Sequence, residues 1–76
     1  MTRLRLVPFK KLSKLAQNKG FMEIRSVGSH HVFRNQQEKI IVIPDHGNQV
    51  VVRPLLRKIL RDMNVTVQEY NQWLDR

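Results

Sequence analysis

Residues 20–47 read GFMEIRSVGSHHVFRNQQEKIIVIPDHG, and this stretch decides the fold. Three short runs rich in β-branched and aromatic residues, 21–27, 30–34 and 39–43, are separated by turn-forming residues and predict three strands. The connections hold too few residues for a parallel crossover, so the strands are expected to pair as antiparallel hairpins. Four consecutive β-branched residues at 40–43 leave neither face of the third strand polar, which favours a strand covered on both sides, with a partner as one candidate cover.

Helical patterns flank the three strands. In residues 9–19 apolar side chains recur at helical spacing, and Gly20 is typical of the residue that ends a helix. A second apolar stripe begins at Pro54, a residue suited to the first turn of a helix. Thr66 and Glu69 have the spacing of a capping box for a short last helix. The predicted order is therefore αβββαα.

The composition describes one small cationic domain, residues 1–76. The chain has 76 residues, 14 Lys and Arg against 6 Asp and Glu, a net charge of +8 and no cysteine. Without cysteine neither a disulfide framework nor a thiolate metal site is available. We expect no signal peptide and no membrane span, hence a cytoplasmic protein. Such a charge on a folded domain points to a polyanion, with nucleic acid the leading candidate.

The positive charge is unevenly distributed. Residues 1–20 carry six basic side chains and no acidic one, whereas residues 21–52 are neutral overall. The basic side chains outside the strands that are candidate RNA-phosphate contacts are Lys10, Lys11, Lys14, Arg57 and Lys58. The alternative for each of them is an ordinary solvated helix face, which is how most charge runs are used.

Strand alternation separates two adjacent histidines. His31 shares a face with Phe33, which we expect in the core, while His30 shares the opposite, outward face with Val32 and Arg34. An exposed histidine beside a basic side chain is suited to RNA cleavage, although most histidines on a surface hairpin have no catalytic role.

A metal site is the competing interpretation of the histidines. His30 and His31 point to opposite faces of a regular strand, and His46 with Asp45 provides two ligands where zinc takes three or four. We therefore expect no metal and no cofactor.

Three motifs in order carry a family resemblance. They are Gly20-Phe21, Arg25-x-x-Gly28-Ser29-His30-x-x-Phe33 and Val42-Ile43-Pro44-x-His46-Gly47-Asn48. In this order and spacing the chain resembles the HicA family of toxins, from type II toxin–antitoxin pairs. It departs from the family where Pro54-Leu55-Leu56 replaces a Gly-Thr-Leu-like helix entry and where Pro8-Phe9 replaces a Ser or Thr cap.

The resemblance implies an α+β fold like the double-stranded RNA-binding domain, with helices on one face of a three-stranded antiparallel sheet. It also implies an mRNA-cleaving ribonuclease, an mRNA interferase, neutralised by a HicB-type antitoxin. The catalytic histidine of the family falls on His30. We expect the antitoxin to be acidic and to cover His30.

For RNA cleavage of this kind the protein needs no nucleophile of its own, because the substrate supplies its 2′-OH group. We expect His30 to act as general base, with Arg25 or Arg34 as phosphate contact and Ser29 orienting either group. His46 is a candidate acid, and equally a residue that stabilises its own loop. A non-catalytic double-stranded RNA-binding module of the same fold is the alternative function. A DNA-binding protein is disfavoured by the absence of a helix-turn-helix pattern.

Overall fold

A computed structural model describes residues 3–76, which form three helices and one three-stranded antiparallel sheet of order β1-β2-β3. The elements are α1 (Phe9–Asn18), β1 (Met22–Val27), β2 (His30–Arg34), β3 (Ile40–Pro44), α2 (Arg53–Asp62) and α3 (Val67–Leu74). The order αβββαα and the antiparallel sheet confirm the predicted fold, which is like that of the double-stranded RNA-binding domain. Residues 1 and 2, which belong to the N-terminal segment where no signal peptide is expected, lie outside the described residues.

Two helix ends follow the predicted chemistry. Gly20 has a φ of 89° after α1, and the Phe21 N–H donates to the Ala16 carbonyl at 2.9 Å, which closes the C-terminus of the helix. The Thr66 hydroxyl accepts from the Glu69 N–H at 3.0 Å and caps α3.

Some boundaries differ from the sequence pattern by one residue. Pro8 is the N-cap of α1 rather than its first helical residue, and α2 begins at Arg53, one position before Pro54. The third strand spans Ile40–Pro44 instead of 39–43. These shifts leave the faces of all elements unchanged.

The β1–β2 hairpin turns over two residues, Gly28 and Ser29. Gly28 has a φ of 59° and Ser29 has no positive φ, the pattern of a type II′ turn, for which glycine is favoured at the first position. A bulge between Glu23 and Arg25 interrupts the register of β1. As a result Glu23 pairs with Phe33 and Arg25 with Val32, so these two charged residues lie on opposite faces of the sheet.

The helices cover one face of the sheet, here called the inner face, and leave the other exposed. Phe33, Ile41 and Ile43 are buried against residues of all three helices. The outer face carries Met22, Arg25, Val27, His30, Val32, Arg34, Ile40 and Val42. Ile40 and Val42 stay 45% and 40% exposed, so the second cover expected for β3 is not provided by residues 3–76.

The N-terminal arm, residues 3–8, is fastened to α3. Leu4 is buried in the core, and the Tyr70 hydroxyl donates to the Arg5 carbonyl. The Arg5 guanidinium donates to the Asn71 carbonyl at 2.8 Å and to Asp75 at 3.0 Å. No helix within residues 3–76 is long and apolar enough to cross a membrane.

Candidate functional site

His30 is the first residue of β2 and is exposed on the outer face. The type II′ turn places it at the end of the hairpin, where it pairs with Val27 of β1 and Pro44 of β3. It lines a cleft of about 370 Å³ between β3 and α2, together with His46. Both predicted site histidines therefore face one cavity.

The remaining wall of the cleft is largely apolar. It is formed by Ile40, Ile41, Val42, Pro44, Leu55, Lys58, Ile59 and Asp62. Lys58 Nζ lies 2.8 Å from the Asp62 carboxylate, and this hydrogen bond holds the pKa of Asp62 below its ordinary value. The cleft thus offers one cation, already paired, along with its two histidines, while Arg57 lies on another side of α2 beside Val65 and Val67.

The strand register shows which of the two outer-face arginines lies nearer to His30. Arg25 pairs with Val32 and is therefore a diagonal neighbour of His30, at a Cβ separation of about 7 Å. Arg34 lies four residues further along β2, about 13 Å from His30. Of the two phosphate contacts considered from sequence, Arg25 is the one brought next to His30.

The α1 lysines are not brought to the cleft. The ring of His31, adjacent to His30 but on the inner face, lies 4.3 Å from the ring of Phe9 in α1. The exposed side of α1, which carries Lys10 and Lys14, therefore faces away from the sheet, while His30 points in the opposite direction. Lys11 Nζ lies 5.7 Å from the Trp73 ring of α3.

Two of the six basic residues in the first twenty take part in the fold itself. Arg5 pairs with Asp75 at 3.0 Å, and Lys19 pairs with Glu69 at 2.8 Å. Both partners lie on or beside α3. Part of the N-terminal positive charge is therefore paired with carboxylates on or beside the C-terminal helix.

Asp45 organises the loop that carries His46. Its backbone N–H donates to the Ser29 carbonyl at 2.7 Å, and its Oδ1 accepts from the Gly47 N–H at 2.9 Å. Its Oδ2 lies 3.7 Å from His31 Nε2. Ser29 thus contributes its carbonyl to this arrangement, and the orienting role expected of its hydroxyl stays a prediction.

His31 itself contacts a residue that the sequence pattern did not indicate. Its side chain is 19% exposed, in agreement with the predicted inward face, and its Nδ1 lies 2.9 Å from Glu23 Oε2. Regular alternation would have placed Glu23 on the same face as Arg25, and only the bulge between them turns Glu23 inward. Within residues 3–76, no cluster of three or more His, Asp or Glu side chains is arranged to hold a metal ion.

Comparison with known protein families identifies a family that covers most of the chain. The family model described as the HicA toxin of bacterial toxin–antitoxin systems matches residues 9–65, more than half of the chain. The matched span runs from the start of α1 past the end of α2 and includes both cleft histidines. A search of curated proteins found no match.

Proposed function

The chain belongs to the HicA family of bacterial toxins, and from that membership we propose that it is an endoribonuclease that cleaves mRNA without a metal ion. The observation that carries the proposal is the position of His30. This histidine is exposed, lines a cleft with a second histidine, and has Arg25 as a diagonal neighbour. A base, a candidate acid and a cation are the three groups that the reaction needs.

The reaction begins at the 2′-OH next to the scissile phosphate. His30 takes the 2′-OH proton, the 2′-oxygen forms a bond to phosphorus, and the P–O5′ bond breaks. His46 is the candidate acid that gives its proton to the leaving 5′-oxygen. The products are a 2′,3′-cyclic phosphate and a 5′-hydroxyl. Arg25 offsets the negative charge that builds on the phosphoryl oxygens.

The test is expression of the parent and of His30→Ala, with growth and the ends of cellular mRNA as readouts. The parent should arrest growth and leave 2′,3′-cyclic phosphate ends, and the variant should do neither. Gln36→Ala, at the exposed β2–β3 hairpin, is the control and should behave as the parent. A His30→Ala variant that cleaves at the parent's rate would refute the assignment, and cleavage abolished by EDTA would refute metal independence.

The alternative is a non-catalytic module that binds double-stranded RNA. It shares the fold but needs no histidine at the Gly28-Ser29-His30 position. Duplex binding by the parent without new RNA ends, equal in His30→Ala, would support it.

Membership of the family also implies a cognate antitoxin. We propose a HicB-type, acidic antitoxin seated on the outer face, where exposed Met22 and Val27 share the face with Arg25 and Arg34. It would exclude RNA by covering His30.

Paired valines test this placement of the antitoxin. Val27 on the outer face and Val52 before α2 are 66% and 61% exposed. Val27→Thr should weaken neutralisation by the co-expressed antitoxin, whereas Val52→Thr should not. A complex that blocks cleavage with His30 still open would rule out occlusion.

A further inference from the structure

His31 connects two carboxylates that belong to different parts of the fold. Glu23 of β1 lies 2.9 Å from Nδ1, and Asp45, just after β3, lies 3.7 Å from Nε2. The ring also packs on Phe9 of α1 at 4.3 Å. The histidine is therefore held on one side by a hydrogen bond, on its face by an aromatic ring, and presents its other nitrogen to Asp45.

Asp45 is the residue through which this contact reaches the cleft. Its N–H is bonded to the carbonyl of Ser29, directly before His30, and its Oδ1 is bonded to the N–H of Gly47, directly after His46. A displaced Asp45 side chain would release the turn at Gly47. The direction of His46 relative to His30 thus depends on where the Asp45 carboxylate is held.

We propose that His31 is a positioning residue: its Nε2, within ion-pair distance of the Asp45 carboxylate on the inner face of the sheet, restrains that carboxylate and thereby sets His46 in the cleft that His30 also lines. This inference rests on the proposed ribonuclease function. His31 does not touch the substrate, because its ring lies on the helix side of the sheet. Glu23 orients the ring, and the bulge in β1 is what brings Glu23 to this face.

Simple packing does not require these partners. A phenylalanine at position 31 would fill the same space against Phe9, but it would offer no nitrogen atom to Glu23 or to Asp45 Oδ2. His31→Phe therefore keeps the aromatic contact and removes both nitrogen atoms, which separates positioning from packing.

The kinetic test uses His31→Phe in two backgrounds, with a short oligoribonucleotide as substrate. In the parent background, kcat should fall about ten- to a hundred-fold with KM unchanged, because a displacement of a catalytic group by about 1 Å can cost about a hundred-fold. In the His46→Ala background the same substitution should change kcat less than about two-fold, because the group it positions is gone. Glu38→Gln, an exposed carboxyl at the β2–β3 hairpin, is the charge control and should leave kcat unchanged.

Equal losses of kcat in both backgrounds would overturn the proposal, and so would an unchanged kcat in His46→Ala itself. A fall in the thermal midpoint of His31→Phe that accounts for the lost activity would likewise make His31 a structural residue.

A second readout does not depend on activity. Amide hydrogen exchange at Asp45 and Gly47 should accelerate at least about ten-fold in His31→Phe, while exchange at Phe33 in the middle of β2 stays as in the parent. Unchanged exchange at Asp45 and Gly47 would refute the positioning role even in an active enzyme. If the parent cleaved no RNA, the proposed function would fail, and the exchange experiment would still decide the positioning role.

Discussion

Arg25 and Arg34 form a matched pair for testing how the cleft acts on a phosphate. Both are exposed arginines on the outer face, and each substitution by glutamine removes one positive charge. They differ in their separation from His30, about 7 Å for Arg25 as a diagonal neighbour and about 13 Å for Arg34 along the strand. Any difference in cleavage between the two variants therefore reports position and not net charge.

The two separations translate into different free energies. A charged hydrogen bond from Arg25 to a phosphoryl oxygen is worth about 1.5–3 kcal/mol, so Arg25→Gln should slow cleavage by a factor of about 10 to 160. A charge about 13 Å away lies beyond the screening length of about 8 Å at physiological salt. Arg34→Gln should therefore change the rate less than about two-fold.

The assay is single-turnover cleavage of an oligoribonucleotide at about 0.15 M salt, repeated at about 0.01 M, where the screening length grows to about 30 Å. At low salt the loss in Arg34→Gln should increase, while Arg25→Gln should remain the slower variant. Equal losses at about 0.15 M salt would refute the assignment of Arg25 from the strand register. A larger loss in Arg34→Gln would place the phosphate at the other end of β2.

Three other substitutions test charge and stability. Burial raises the pKa of Tyr70 to about 12, so the folded state keeps a proton that the unfolded state loses near pH 10. The free energy of unfolding should therefore fall by up to about 3 kcal/mol between pH 10 and 12. Chemical denaturation of Tyr70→Phe should show a smaller fall over the same pH range. Asp62→Asn frees Lys58 in the cleft and should steepen the salt dependence of RNA binding by about one phosphate contact, measured by titration at several salt concentrations; an unchanged slope would exclude Lys58 from the interface. Thr66→Ala removes the cap on Glu69 N–H and should lower the free energy of unfolding by about 1 kcal/mol in urea, whereas a neutral result would show that packing alone fixes α3.

Local signals in the sequence predicted the fold well. The strand at 30–34 has the predicted bounds, and Gly20 and Thr66 end and begin their helices as expected. These features depend on residues within four positions of one another, so the chemistry of turns and caps is readable from the sequence. Alternation also assigned His30 and His31 to the correct faces.

The features that the sequence did not predict either join residues far apart in the chain or interrupt the two-residue alternation of a strand. The bulge at Glu23 changes the period-2 pattern of β1, and nothing in the run 21–27 marks it. Arg5 is one of the six basic residues of the first twenty, and the sequence does not indicate its partner Asp75, which is 70 positions away. The Asp45 contact to His31 likewise needs the folded sheet, because it joins two strands across a hairpin.

The placement of Lys10 and Lys14 on the far side of the sheet from His30 has a consequence for substrate length. The described residues measure 22 Å in their shortest dimension, so under the proposed ribonuclease function one RNA strand would have to bend around them to contact α1 and the cleft together. An oligonucleotide of a few nucleotides would reach the cleft alone and would be cut with little dependence on these lysines. If the α1 lysines bind RNA as predicted from the sequence, neutralising them should slow cleavage of a long transcript more than cleavage of a short oligonucleotide.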